Sequence, residues 1–294
     1  MNAVSSHLSV VDSAGSNRFQ QITSYYEKKY EISWIYMHAA PRPCFTMRQL
    51  KELNHALGKV REQALTQPEK KVRYNVMASK VDGVFNLGGD LDSFKGLIER
   101  RDRERLSAYA MECIDAVYTG ISNFRGANVT SIALVQGLAF GGGLECALAS
   151  DLLIAERGSR MGFPEVIFNL FPGMGAYSLL SRKLTPATAK RMILSGKLYG
   201  AEELHEMGVV DVLVDDGEGE LAVYEYVKNR NRSANAYASL TRAVDRVNPV
   251  SYEELRDVAL IWVEAALNLG SRDLRMMDRL VTRQNRDWAS TNAA

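Results

Sequence analysis

The chain has 294 residues, 46% apolar and 24% charged, with a net charge of +1, a profile of a globular protein with room for one large domain or a domain with an appendage. So small a net charge excludes the one-signed field by which nucleic acid or an anionic membrane surface is held. Three widely spaced cysteines, Cys44, Cys113 and Cys146, match no zinc or disulfide framework and point to a reducing, cytoplasmic setting.

The opening MNAVSSHLSVVDSAGSN lacks a basic region followed by a long apolar core, so residues 1–18 read as a flexible tail and not a signal peptide. Residues 19–38 read as two aromatic-rich strands joined at a charged turn near Lys28 and Lys29. Thr46 with Gln49 suggests a capping box for a helix carrying Met47, Leu50, Leu53, Leu57 and Val60 on one face, which Pro68 ends. Residues 73–79 read as a strand. Residues 83–91 read as a strand end opening into a glycine turn. One charged helix is then expected to about Arg105, continuing through Tyr109, Cys113, Val117 and Ile121.

Residues 132–155 imitate a membrane span. They contain Gln136, Glu145, Asp151 and four glycines, and a carboxylate near a bilayer centre costs on the order of 3 kcal/mol. The segment therefore reads as buried strand (130–137), buried helix from Gly141, and buried strand (151–156). Thr185 and Pro186 open a helix that Gly196 stops. Residues 201–208 form a short helix and 209–214 a strand. Beyond about 220 the pattern is helical only, with Ser251 and Glu254 capping one helix that ends at Gly270, and Ser271 opening the next. The expected division is a 19–215 body of alternating strands and helices and a 216–294 helical region.

Two glycine turns sit between a strand and a helix, Gly88-Gly89 and Gly141-Gly142-Gly143. The first amides of a helix have no internal partner, so such turns suit an anionic oxygen. Glu145 lies one helical turn past Gly142, on the same face. Glu165 follows Pro164. Two glutamates near one polarised carbonyl serve as general base and general acid. Taken singly, a glycine triplet also fits a tight turn and a buried glutamate also fits a structural hydrogen bond. No G-x-G-x-x-G, H-E-x-x-H or G-x-S-x-G occurs, and no metal site is expected.

FNLGGDL, VQGLAFGGGLECAL and MGFPEVIFNLFPGMGAYSLL resemble the crotonase (enoyl-CoA hydratase/isomerase) superfamily over roughly residues 20–285. More narrowly, FNLGGDL, LFPGMGAYS and MDRLV are similar to its diffusible-signal-factor synthase branch, bacterial enzymes that make cis-2-unsaturated fatty acids for quorum sensing. The resemblance implies an α/β spiral of strand–strand–helix units with a helical C-terminal region, usually a homotrimer. It implies an oxyanion hole from the Gly89 and Gly142 amides, catalytic Glu145 and Glu165, and an acyl pocket lined at Met174, Trp262 and Leu280. The expected reaction is dehydration of a 3-hydroxyacyl thioester on acyl carrier protein to a cis-2-enoyl thioester, followed by hydrolysis to the free acid, with no cofactor. A CoA-thioester hydratase and a regulatory binding protein for a sensor partner are the alternatives. Residues 95–105, with five bases against three acids, fit either a docking surface for an acidic carrier protein or a solvated helix laced with internal ion pairs.

Overall fold

The computed structural model describes residues 19–67 and 71–291; the expected tail at 1–18 and the helix-ending Pro68 lie outside them. The aromatic run at the start forms the antiparallel pair β1 (Ile22–Glu27) and β2 (Ile32–Met37), turning at residues 28–31 as expected. Helix α1 (Met47–Thr66) follows, and the Thr46 side chain accepts the Gln49 amide at its start. The reciprocal half of the capping box is absent: the Gln49 carboxamide donates to the Gln21 carbonyl, tying α1 to the edge of β1.

The body then repeats one unit. A strand enters a large sheet, a three-residue strand enters a small one, and a helix or turn closes the step. The pairs are β3 (Tyr74–Ser79) with β4 (Val84–Asn86), β5 (Thr130–Val135) with β6 (Leu138–Phe140), and β7 (Leu152–Glu156) with β8 (Arg160–Gly162). Two further strands, β9 (Leu198–Gly200) and β10 (Val212–Val214), finish the sheets. The large sheet runs β1-β2-β3-β5-β7-β10, parallel from β2 onward, and the small one runs β4-β6-β8-β9. This is the spiral that the resemblance implied. The apolar run at 132–155 is divided among β5, β6, a helix and β7, so it spans nothing; among the described residues no helix is long and apolar enough to cross a membrane.

The single helix expected from 91 to 121 is two. Helix α2 (Leu91–Glu99) stops, Arg101 takes a left-handed conformation (φ 53°), and Asp102 caps α3 (Arg103–Tyr118) by accepting the Arg105 amide. A π-helical turn (119–123) and the short α4 (Phe124–Gly126) lead into β5. After β6 comes α5 (Gly142–Leu148), then the 3-10 turn Pro164–Phe168, α6 (Ala176–Lys183), α7 (Pro186–Ser195) and α8 (Ala201–Glu206). Thr185 and Gly196 cap α7 as expected. The chain ends in α9 (Gly219–Arg232), α10 (Ala234–Val247), α11 (Tyr252–Leu267) and α12 (Ser271–Thr291).

Strand alternation sends side chains to two faces. Met77, Ala133, Val135 and Leu153 join the main core with α1, α3 and α11. Trp34, Val76, Ile132 and Ile154 face Ala222, Val223 and Val227 of α9. The helical region is thus packed onto the body at both faces. Lys95 pairs with Asp278 of α12 at 2.7 Å, and Arg103 pairs with Glu264 of α11. The basic segment is accordingly engaged in internal ion pairs at those two positions.

A non-glycine residue in the left-handed region costs roughly 1–2 kcal/mol, partly offset by the greater freedom glycine brings to the unfolded chain. Arg101→Gly is therefore expected to stabilise the protein by about 0.5–1 kcal/mol, read as a higher denaturant midpoint. A lower midpoint would place the α2–α3 break elsewhere.

Candidate active site

Short elements bring the two glycine turns into contact. The Asn86 carboxamide, buried at the end of β4, accepts the Gly88 amide at 2.8 Å, and the Phe45 amide donates to the Gly88 carbonyl at 2.8 Å. Gly88 has φ +89°, and a Cβ there would stand 2.7 Å from the Phe140 carbonyl oxygen. A Cβ on Gly142 would lie 3.6 Å from the Gly89 nitrogen. The Gly89 and Gly142 amides are therefore neighbours. Gly142 is the first residue of α5, so its N–H has no intrahelical acceptor, and among the described residues neither amide is spent on a backbone partner outside the regular elements.

Glu145 projects from the first turn of α5 and is 2% exposed. Its Oε1 accepts the Met174 amide at 2.7 Å and the Ala176 amide at 3.0 Å. Both donors come from the Pro172–Ala176 turn that opens α6, where the helix dipole favours a negative charge. Burial nevertheless pushes Glu145 up to about 7, with the two amides pulling it back. Glu165 sits at the second position of its 3-10 turn, after Pro164. Its Oε1 lies against Gly141, at a place a Cβ would occupy; Gly141 itself has φ +51°. Its Oε2 is buried and has no hydrogen-bond partner among the described residues. Burial first, and the neighbouring Glu145 charge second, push Glu165 up to about 8.

One apolar cavity holds these groups. Its wall includes Gly89, Gly142, Glu145, Glu165, Met174 and Trp262 together, so six of the seven expected positions meet. Leu280 does not line it: it is partly buried against the main core from α12. Helical periodicity reports that a residue faces inward, not which interior space it reaches. Trp262 of α11 packs edge-on to Phe94 at 5.2 Å and blocks any side chain at Gly173. The residues that sequence reasoning missed are Asn86, which shapes the first turn, and the Met174 and Ala176 amides. A backbone donor leaves no trace in a residue pattern; the only available signal was the glycine spacing of PGMG. No group of three or more histidine, cysteine or carboxylate side chains arranged for a metal occurs among the described residues.

Two carboxylates with raised pKa values, one anchored by two amides and one with an Oε2 unpartnered among the described residues, beside the Gly89 and Gly142 amides suit proton transfer next to a thioester or similar carbonyl. Comparison with known proteins agrees in kind. Residues 27–264 match the family model described as enoyl-CoA hydratase/isomerase. The rat protein "Methylglutaconyl-CoA hydratase, mitochondrial" is 34% identical over 161 residues, 52% of this chain and 47% of its own. The mouse "Enoyl-CoA hydratase domain-containing protein 2, mitochondrial" is 34% identical over 176 residues, 60% and 54%. The chain spans about half the length of the curated relatives it matches. Among solved structures, an enoyl-CoA hydratase from Bacillus halodurans superposes with TM-score 0.76 at 16% identity, covering 88% of this chain and all of its own. Pseudomonas aeruginosa DspI superposes with TM-score 0.60 at 24% identity, covering 95% and 98%. These likenesses carry the fold.

The raised Glu165 pKa has a consequence for stability. In the unfolded chain a glutamate loses its proton near 4.5, and in the folded protein near 8, so the folded state loses relative stability as pH rises through that window. Glu165→Gln never acquires the buried charge. Its thermal midpoint is expected to match wild type at pH 4 and to exceed it by a margin that grows to above pH 8. A constant difference across that range would mean that Glu165 ionises near 4.5 in the folded protein as well.

Proposed function

The chain belongs to the enoyl-CoA hydratase/isomerase family, and from that premise we propose that it interconverts 3-hydroxyacyl and 2-enoyl thioesters by elimination and addition of water. The observation that carries this reading is the pair of glutamates, Glu145 buried and held by two amides and Glu165 with a buried Oε2 that has no partner among the described residues, beside the Gly89 and Gly142 amides. The thioester oxygen sits between those two amides, and each donor contributes about 3 kcal/mol of transition-state stabilisation. Glu145, whose amide partners favour the anion, takes the α-proton. Glu165, which keeps its proton to about pH 8, gives it to the 3-hydroxyl, which leaves as water. The C–H electron pair becomes the new double bond and the C–O pair leaves with oxygen. Hydration is the reverse.

Within the family the reading is a synthase of a cis-2-unsaturated fatty-acid signal. The 3-hydroxyacyl group arrives on acyl carrier protein. After dehydration, water adds to the thioester carbonyl in the same oxyanion hole and the carrier thiol departs, leaving the free acid. FNLGGDL, LFPGMGAYS and MDRLV support this branch, as does a mostly apolar cavity continuous with the site. The names of the relatives favour a second reading, a CoA-thioester hydratase. Helix α10 has no buried residue and exposes Leu240, Val244 and Val247; this fits association with further copies as a homotrimer, or with a sensor protein.

Glu145→Gln and Glu165→Gln are each expected to lower kcat by about 10²- to 10⁴-fold with the fold retained. The wild-type kcat/KM profile is expected to be a narrow bell, rising near 7 as the pair first ionises and falling near 8, with both limbs belonging to the coupled pair. Near wild-type turnover in both variants sinks the mechanism.

Of the basic segment, Arg100 and Arg101 are exposed and belong to none of the observed ion pairs. Arg100→Glu with Arg101→Glu is expected to raise KM for a carrier-bound substrate at low salt and to leave a small thiol-analogue substrate unaffected. Unchanged KM for both would remove carrier docking from this face and favour the CoA reading.

A further inference from the structure

The proposed thioester site takes up one end of its cavity. The rest runs along α5, between it, α1, α3 and the inner face of the large sheet, and is walled by Leu50, Leu53, Met77, Cys113, Cys146 and Val117. Helix α5 alone spans about 10 Å. Met77 meets Cys146 one turn into that helix. Asn75 lies two residues further back along β3, about 7 Å beyond Met77, and lines the far end with Gly120, Phe124, Ser131, Ala149 and Ser150.

Among the cavity's described lining residues, two side-chain atoms are buried without a hydrogen-bond partner. One is Glu165 Oε2, in the proposed catalytic pair. The other is Asn75 Oδ1, at the opposite end, on a residue only 2% exposed. Strand register places Asn75 beside Ser33 and Ser131, but Ser131 is committed: its hydroxyl lies 2.9 Å from the Gly120 carbonyl and 3.0 Å from the Asp151 carboxylate, and it accepts the Asp151 amide at 2.9 Å. The π-helical turn that carries Gly120 closes this end against α5, where a Cβ on Gly120 would stand 2.6 Å from the Ala149 carbonyl oxygen. Buried polar groups are ordinarily satisfied, and an unmet carboxamide oxygen at the end of a largely apolar tube is a poor way to build a core.

We propose that the far end of the cavity is a receptor for a hydroxyl group at the distal end of the acyl chain, read by the Asn75 carboxamide. A hydroxyl is both donor and acceptor, as the carboxamide is. The inference rests on the acyl-thioester reading above and narrows its substrate class to chains with a polar terminus. Site specificity follows from the asymmetry of such contacts: a chain that ends in a methyl leaves Asn75 unpaired, and one that ends in a hydroxyl satisfies both.

The test is calorimetric titration of saturated fatty acids and their ω-hydroxy counterparts, over a series of lengths, into wild type and Asn75→Leu. In wild type, at the length that reaches Asn75, the hydroxy acid is expected to bind about fivefold tighter than the plain acid. In Asn75→Leu the order reverses, because leucine leaves the hydroxyl unpaired. Equal binding of both kinds by wild type at every length overturns the proposal, and so does a preference that survives Asn75→Leu; the wild-type comparison decides alone if the variant does not fold. The two readings fail separately. A hydroxyl preference with no dehydratase turnover overturns the thioester chemistry and keeps the receptor; turnover with equal binding does the opposite.

Discussion

Two carboxylates are kept out of water between two backbone turns that touch, and the site depends on that contact. The turns approach because Gly88 presents no side chain where the Phe140 carbonyl and the Gly142 amide stand, and Gly141 none where Glu165 Oε1 stands. Closing the gap has two effects at once. It aligns two amides whose hydrogens have no backbone acceptor outside the regular elements among the described residues, and it desolvates the glutamates until both ionise near neutrality. A loosened turn would lose both, since water entering the gap would solvate the carboxylates and compete for the amides.

The spiral fold supplies the contact by repetition. Each step lays a strand in the large sheet and a short strand in the small one, so the ends of β4 and β6 arrive side by side with their glycine turns in register. Helix α5 then leaves from one of those turns and carries Glu145 inward. The helical region completes the enclosure from outside: α11 places Trp262 against Gly173 and Phe94, and α12 is tied to α2 by Asp278 and Lys95. The asymmetry within the pair comes from the turn before α6. Two of its amides converge on Glu145, whereas Glu165 Oε2 has no partner among the described residues.

Much of this was legible in the sequence. Long apolar or aromatic runs marked β1, β2, β3, β5 and β7, and glycine next to a buried glutamate marked the chemistry. The three-residue strands β6, β8 and β9 were not, because so short a segment shows no alternation. The break at Arg101 was missed because arginine is a good helix former and the left-handed residue that stops α2 is not a glycine. The anchoring of Glu145 by Met174 and Ala176 was hidden because main-chain amides belong to every residue. Asn75 went unremarked because one polar residue in a buried strand looks the same whether its carboxamide is bonded or open to a cavity. Leu280 was placed in the pocket on a family resemblance and an apolar face, and α12 instead sets it against the core.

The central claim is that one proton is held between the two glutamates at neutral pH and that Glu165 carries it. Difference infrared spectroscopy of the carboxyl C=O stretch, with glutamate labelled in its side-chain carboxyl, observes it directly. The account predicts a protonated-carboxyl band at pH 7 whose last part disappears as pH rises through about 8; in Glu165→Gln only the Glu145 component remains, lost near pH 7, and in Glu145→Gln the band persists at pH 7. A wild-type spectrum with every carboxyl ionised from pH 6 upward, or a band in Glu165→Gln that still titrates near pH 8, would contradict it.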